Sequence, residues 1–166
     1  MTSVRRIISD LPPKALEDLG LFGALRLMAK NFEKRHDVRC HVCLPGYEPH
    51  MPQKAASAIY RMVQESLTNV AKHACATDVE IAMEILDNRV LLSVADNGKG
   101  FSAQALQKAG SFGLIGMRER AGALNGGLKV ESAIGSGTTI YVTLPLDDTR
   151  HCGAGSDTPV MPAQSA

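Results

Sequence analysis

Six residues, Asp96-Asn97-Gly98-Lys99-Gly100-Phe101, close the apolar run Val90 to Ala95. A strand that ends in an acid presents its carboxylate at a fixed height, and the glycines after it let backbone approach a bound group with no Cβ in the way. That arrangement suits reading the hydrogen-bonding edge of a flat ligand. Asp-Asn-Gly is equally ordinary turn chemistry, so the neighbouring stretches must decide. A second set is Glu65, Asn69, Lys72 and His73. At 100° per residue these four share a helix face opposite the apolar positions Ala56, Ile59, Val63, Leu67, Val70 and Ala74. A polar stripe is also what a solvated helix face looks like. Here, however, it contains a mid-helix Asn, a poor helix former, and it joins a carboxylate, an amide, an ammonium and an imidazole that together could hold a metal and phosphate oxygens.

These groups need elements to position them. Leu21, Leu25, Met28 and Phe32 recur at helical spacing, and Val38 to Leu44 reads as a short strand ended by Pro45-Gly46. The helix carrying the polar stripe starts near Pro52 and runs to about Cys75. Val79 to Ile85 alternates with period two and turns at Asp87-Asn88 into the strand that ends at Asp96. A short helix is expected over Ala103 to Lys108. A glycine-bearing segment, Gly110 to Gly116, then opens a helix with Leu114, Met117, Ala121 and Leu124 inward, stopped by Gly126-Gly127. Leu128 to Ser132 and Thr138 to Leu144 make a second hairpin, with Ile140, Val142 and Leu144 on one face and Thr139, Tyr141 and Thr143 on the other. Pro145 closes it.

This order predicts an α/β two-layer sandwich with a mixed, mostly antiparallel sheet and helices on one face. Residues 1–13, ending in Leu11-Pro12-Pro13, read as a junction, 14–146 as the domain, and the Gly-, Ser- and Pro-rich 147–166 as a disordered tail.

A chain of 166 residues, 45% hydrophobic, buries one core. Eighteen basic against seventeen acidic side chains leave net +1, which gives no field for a nucleic-acid backbone or an anionic membrane surface. No run approaches the ~20 apolar residues of a membrane span and Met1 to Arg6 lead into no signal-peptide core, so a soluble, cytoplasmic domain is expected. Cys40 and Cys43 have the gap of a zinc or redox pair, but no second pair follows and a strand would point them to opposite faces. Reduced, unliganded thiols are expected.

With these stretches in place, the sequence resembles the catalytic ATP-binding domain of sensor histidine kinases in the GHKL (Bergerat) superfamily. Glu65 to Ala74 resembles the N box, Asp96 to Phe101 the first glycine box, Gly113 to Arg120 the second, and Gly137-Thr138-Thr139 the closing element. Leu11 to Leu21 resembles the segment that joins phosphoacceptor helices to this domain in kinases that pair with NarL-like response regulators, and Ser102 to Phe112 that subgroup's short ATP lid.

The resemblance implies a protein-histidine kinase module that binds ATP and magnesium. It implies that Asp96 accepts from the adenine exocyclic amine, with Thr138 or Thr139 helping through water, and that Asn69 ligates magnesium. Lys72 and His73 would lie along the phosphates. Gly98, Gly100 and Leu114 would line the nucleotide, and Gly113 and Gly116 would let the lid fold over the triphosphate. Arg118 is a phosphate candidate whose alternative is a surface charge, and Glu65 takes an orienting or basic role. The acceptor histidine is expected on a separate dimerisation hairpin, with a response regulator beyond it. His36-Asp37 lies past the junction, where helix gives way to strand, and is not read as the acceptor. Two other readings share the boxes: a nucleotide-sensing interaction module without transfer, and an anti-sigma-type serine kinase, which leaves the junction segment unexplained.

Overall fold

Period-two and period-3.6 apolar spacing sort the chain into the two layers seen in the computed structural model, which describes residues 14–102 and 112–146. The elements are α1 (Lys14–His36), β1 (Arg39–Cys43), α2 (Gln53–Asn69) continued by a π-helical turn (Val70–Ala74), β2 (Asp78–Leu86), β3 (Arg89–Asp96), α3 (Phe112–Gly122), β4 (Gly127–Ser132) and β5 (Thr138–Pro145). The junction over 1–13, the short helix over 103–108 and the tail over 147–166 lie outside the described residues.

The strands form one sheet in the order β1-β2-β3-β5-β4, parallel between β1 and β2 and antiparallel elsewhere. Its register aligns Val42, Ile81, Val94, Ile140 and Val130 in one row across all five strands. That row faces the helices: Leu21, Leu25, Ile59, Met62 and Val63 are almost wholly buried in the same cluster as Ile81, Val94 and Ile140. Each such side chain contributes about 1.5–3 kcal/mol by leaving water. The neighbouring row of Ala82, Ser93, Tyr141 and Lys129 points to the other face, with Tyr141 and Lys129 exposed. The expected two-layer α/β sandwich is the observed one. No helix among the described residues is long and apolar enough to cross a membrane.

Two local features depart from the plain periodic reading. α1 starts seven residues before Leu21 and is broken at Gly20, whose φ of 68° and ψ of 177° leave the helix for one residue. The break strips the Leu21 and Phe22 N–H groups of helical acceptors. Glu48, from the loop after β1, supplies both, with Oε1 accepting at 2.8 Å and Oε2 at 3.0 Å. A carboxylate 27 residues away thus caps the second half of α1 and ties it to the loop, which no local sequence signal announces. The second departure is the widening of α2 into an i→i+5 turn before Cys75, at φ 52°, ends it.

Removing the cap has a definite expected outcome. Glu48→Ala is expected to lower the unfolding free energy by about 1–2 kcal/mol in urea titrations, because two helix-start donors lose a charged acceptor. An unchanged denaturation midpoint would show that the cap carries no stability.

Candidate functional site

The end of α2, the end of β3 and the start of β5 converge on a cavity of about 290 Å³. Asn69, His73, Asp96, Gly100, Phe101, Leu114 and Thr138 line it together with Ser66, while Val70, Val94, Val130 and Ile140 make its apolar floor. Asp96 is the last residue of β3, in register with Val79 on one side and Thr138 on the other. Its Oδ1 accepts the Gly98 N–H at 2.8 Å, and the carboxylate also accepts the Thr138 backbone N–H. Half-burial is the leading influence on this group and pushes its pKa above the usual carboxylate range, with the two N–H groups opposing that rise. An ionised carboxylate has about four lone-pair sites, so acceptor capacity remains for a ligand.

The turn after Asp96 is seated against two other segments. Lys99 N–H donates to the Ala74 carbonyl at 2.8 Å, and Gly98 passes that carbonyl so closely that a Cβ would collide with it. On the other side Gly135 N–H donates to the Lys99 carbonyl at 2.7 Å. Ser132 accepts the Phe101 N–H at 2.9 Å and donates to the Gly137 carbonyl at 2.9 Å, with Thr138 Oγ1 3.0 Å away. Sequence reasoning did not single out Ser132; only its place at a strand end facing the glycine turn marks it. Ser66, 2% exposed, is a second such residue. Its hydroxyl donates to the Met62 carbonyl at 2.8 Å and lies 3.8 Å from the Met117 sulfur, joining α2 to α3 beside the cavity.

The structure divides the polar stripe of α2. Asn69 and His73 face the cavity with Asp96. Lys72 is exposed and lines a second concavity between α1 and α2, together with Arg35 and His36. The π turn accounts for the split. An i→i+5 turn advances less per residue than the 100° of an α-helix, so by Lys72 the accumulated shortfall swings the side chain away from Asn69 and toward α1. Glu65 is half-buried outside the cavity lining, its carboxylate pressed against Gly113 at the start of α3, where any side chain at 113 would displace it.

Of the two threonines, Thr138 lines the cavity, whereas Thr139 alternates to the other face of β5, between Ala95 and Glu131. Leu114 reaches the lining; Gly116, half-buried, has the Arg120 guanidinium as its neighbour, and Arg118 is exposed on α3. One carboxylate between apolar walls fits a planar base bearing an amine. No group of three or more His, Cys, Asp or Glu converges among the described residues, so a divalent ion at Asn69 must draw its further oxygens from the ligand and from water.

Residues 54–148 match the family described as histidine kinase-, DNA gyrase B-, and HSP90-like ATPase. The chain is 39% identical over 146 residues to the signal transduction histidine-protein kinase/phosphatase DegS of Brevibacillus brevis, covering 88% of this chain and 38% of that protein. It is 33% identical over 145 residues to the oxygen sensor histidine kinase NreB of Staphylococcus carnosus (strain TM300), covering 87% and 42%. It therefore spans about two fifths of the length of these relatives. Among solved structures, the histidine kinase domain from the Erythrobacter litoralis EL346 blue-light activated histidine kinase superposes with a TM-score of 0.67 at 21% identity, over 80% of this chain and 69% of that one. The mycobacterial sensor histidine kinase MprB does so with 0.61 at 20%, over 75% and 95%.

The raised pKa of Asp96 fixes the sign of a stability test. A carboxyl whose folded pKa lies above its unfolded value contributes stability that is fully present below the unfolded pKa and lost as pH rises through the folded one. At pH 7 the fold therefore holds this carboxylate at a disadvantage. Asp96→Asn, which keeps an oxygen for the Gly98 N–H, is expected to unfold at or above the wild-type temperature at pH 7, with the difference shrinking below the ordinary aspartate range. A midpoint several degrees lower at pH 7 would show that the negative charge itself holds the turn.

Proposed function

The chain belongs to the histidine kinase-, DNA gyrase B- and HSP90-like ATPase family, and from that premise we propose that it is the catalytic module of a sensor histidine kinase. In this reading it moves the γ-phosphoryl group of ATP to a histidine on a separate dimerisation hairpin, from which the group passes to an aspartate of a NarL-like response regulator. The observation that carries the reading is Asp96: a half-buried carboxylate, held by two backbone N–H groups, at the mouth of an apolar slot beside Asn69 and His73. Such an acceptor takes the adenine amine and leaves a guanine carbonyl facing it unpaired. The names of DegS and NreB as histidine kinases support the class of reaction.

Asn69 offers a neutral amide oxygen to magnesium, whose chemistry is to neutralise charge on the phosphates. His73 lies beside it, and Lys72 must turn from its groove to reach them. The acceptor nitrogen forms its bond to the γ-phosphorus as the bond to the bridging oxygen breaks, and ADP leaves. His36, in the last turn of α1 with its ring 4.8 Å from that of Phe32, is read as lying outside this role. The position of Lys72 on the α1 side of the turn favours a second reading, a module that binds nucleotide without transferring phosphate.

One experiment separates the two. The chain is mixed with γ-labelled ATP, magnesium and a cognate acceptor hairpin. Acid-labile, base-stable label on the hairpin is expected, whereas nucleotide binding without label would install the second reading. Asp96→Asn is expected to weaken ATP binding by about 1–3 kcal/mol by calorimetry; an unchanged affinity would remove the assigned contact. Asn69→Ala is expected to abolish labelling while keeping measurable nucleotide binding, and a fully active variant would refute the magnesium role.

A further inference from the structure

We infer that Asn97 is a positioning residue for adenine recognition, acting through the backbone of the Asp96–Gly98 turn and not through contact with nucleotide. The inference rests on the reading of Asp96 as the adenine acceptor. Asn97 is exposed and does not line the cavity, yet its amide uses its full hydrogen-bonding capacity within the protein. Its Oδ1 accepts the Thr77 N–H at 3.0 Å and the Asp78 N–H at 3.1 Å. Its Nδ2 donates to Thr77 Oγ1 at 2.9 Å and to Asp78 Oδ2 at 3.1 Å, and its backbone N–H donates to the Asp78 carbonyl at 3.2 Å.

An exposed polar side chain ordinarily gives such bonds to water. Here all four go to Thr77, just before β2, and to Asp78, its first residue. Those residues are held in turn. Arg39 of β1 makes two hydrogen bonds to Asp78, Nε to Oδ1 at 2.6 Å and Nη2 to Oδ2 at 2.9 Å, and the Thr77 hydroxyl adds a third at 2.6 Å. The Arg39 bond is the main reason that the Asp78 carboxyl sits at about 2, so the acceptor that Asn97 faces stays ionised across the working range.

The geometry explains what this frame does. β3 ends at Asp96, and beyond it the chain turns away from β2. Asp96 gets one of its two backbone donors from Gly98, two residues into the departing turn. Asn97 stands between them and nails that turn to the start of β2. Thus Gly98 N–H stays under the carboxylate, and Gly98 itself stays against the Ala74 carbonyl, where no other residue fits. Releasing Asn97 lets Gly98 N–H drift and the carboxylate rotate, without removing any group that touches the ligand.

The test compares ATP with inosine triphosphate, which carries a carbonyl in place of the adenine amine and a proton on the adjacent ring nitrogen, with the same sugar and phosphates. A residue that merely supports the fold lowers both affinities together. A residue that aims Asp96 lowers the ATP affinity alone. Asn97→Ala is expected to reduce the ratio of ATP to inosine triphosphate affinity about tenfold, measured by calorimetry below the unfolding temperature. If that variant does not fold, Asp78→Asn, which leaves Asn97 in place but removes the charge it donates to, is expected to reduce the ratio in the same direction. Asp96→Asn serves as the control. Should it leave the ratio unchanged, the adenine reading itself falls. Should it collapse the ratio while the folded Asn97→Ala, or Asp78→Asn in its stead, preserves it, the positioning role is overturned and the adenine reading stands.

Discussion

A carboxylate can prefer an amine to a carbonyl only if it keeps its place and sheds part of its water, and both conditions come from one joint. The chain leaving β3 is pressed against the end of α2 at a single backbone oxygen, the Ala74 carbonyl. That oxygen accepts from Lys99 and excludes any side chain at Gly98. Because a helix end carries carbonyls without intrahelical partners, this contact satisfies an orphan acceptor of α2 and fixes the reading turn at once. The far side of the turn is closed by Ser132 and by the Gly135 N–H. Asp96 is therefore set between a helix and a hairpin that are themselves core elements, and its position is as stable as the sandwich.

The widened turn at the end of α2 belongs to the same constraint. Val70 and Ala74 must stay buried while Asn69 and His73 turn to the cavity. The π turn brings the Ala74 carbonyl to Lys99 and lets the left-handed Cys75 redirect the chain into β2. Its consequence is that Lys72 leaves the company of Asn69 and joins Arg35 and His36 over α1. Neighbours in sequence thus face different concavities.

Much of this was legible in the sequence, for physical reasons. Strands with one buried face must alternate, so both hairpins and the sheet class followed from period two. The carboxylate at the end of β3 and the glycines after it mark a close backbone approach, as Gly98 and Gly100 show. Three things were not legible. The parting of Lys72 from Asn69 and His73 depends on a departure from 100° per residue in the Val70–Ala74 turn that no residue type encodes. The cap of α1 comes from Glu48, far along the chain, so no local rule finds it. Asn97 was read as turn chemistry, because its bonds run to residues about twenty positions earlier and appear only once β2 and β3 are paired.

The choice of residue at position 96 points beyond the fold. The Gly98 N–H that holds it needs only Oδ1, an oxygen that an amide would also supply. Half-burial disfavours the ionised form, and among the described residues the groups that oppose this are the Gly98 and Thr138 N–H groups, both neutral backbone donors. Asp78, eighteen residues earlier, shows what the fold does with a carboxylate that serves structure, surrounding it with Arg39, Thr77 and Asn97 so that its pKa falls. The two acids are shifted in opposite directions by opposite surroundings. In the proposed reading, a charge kept where the protein alone would favour a neutral group serves what enters the cavity, since an apolar slot with one such acceptor suits a flat ring carrying a donor.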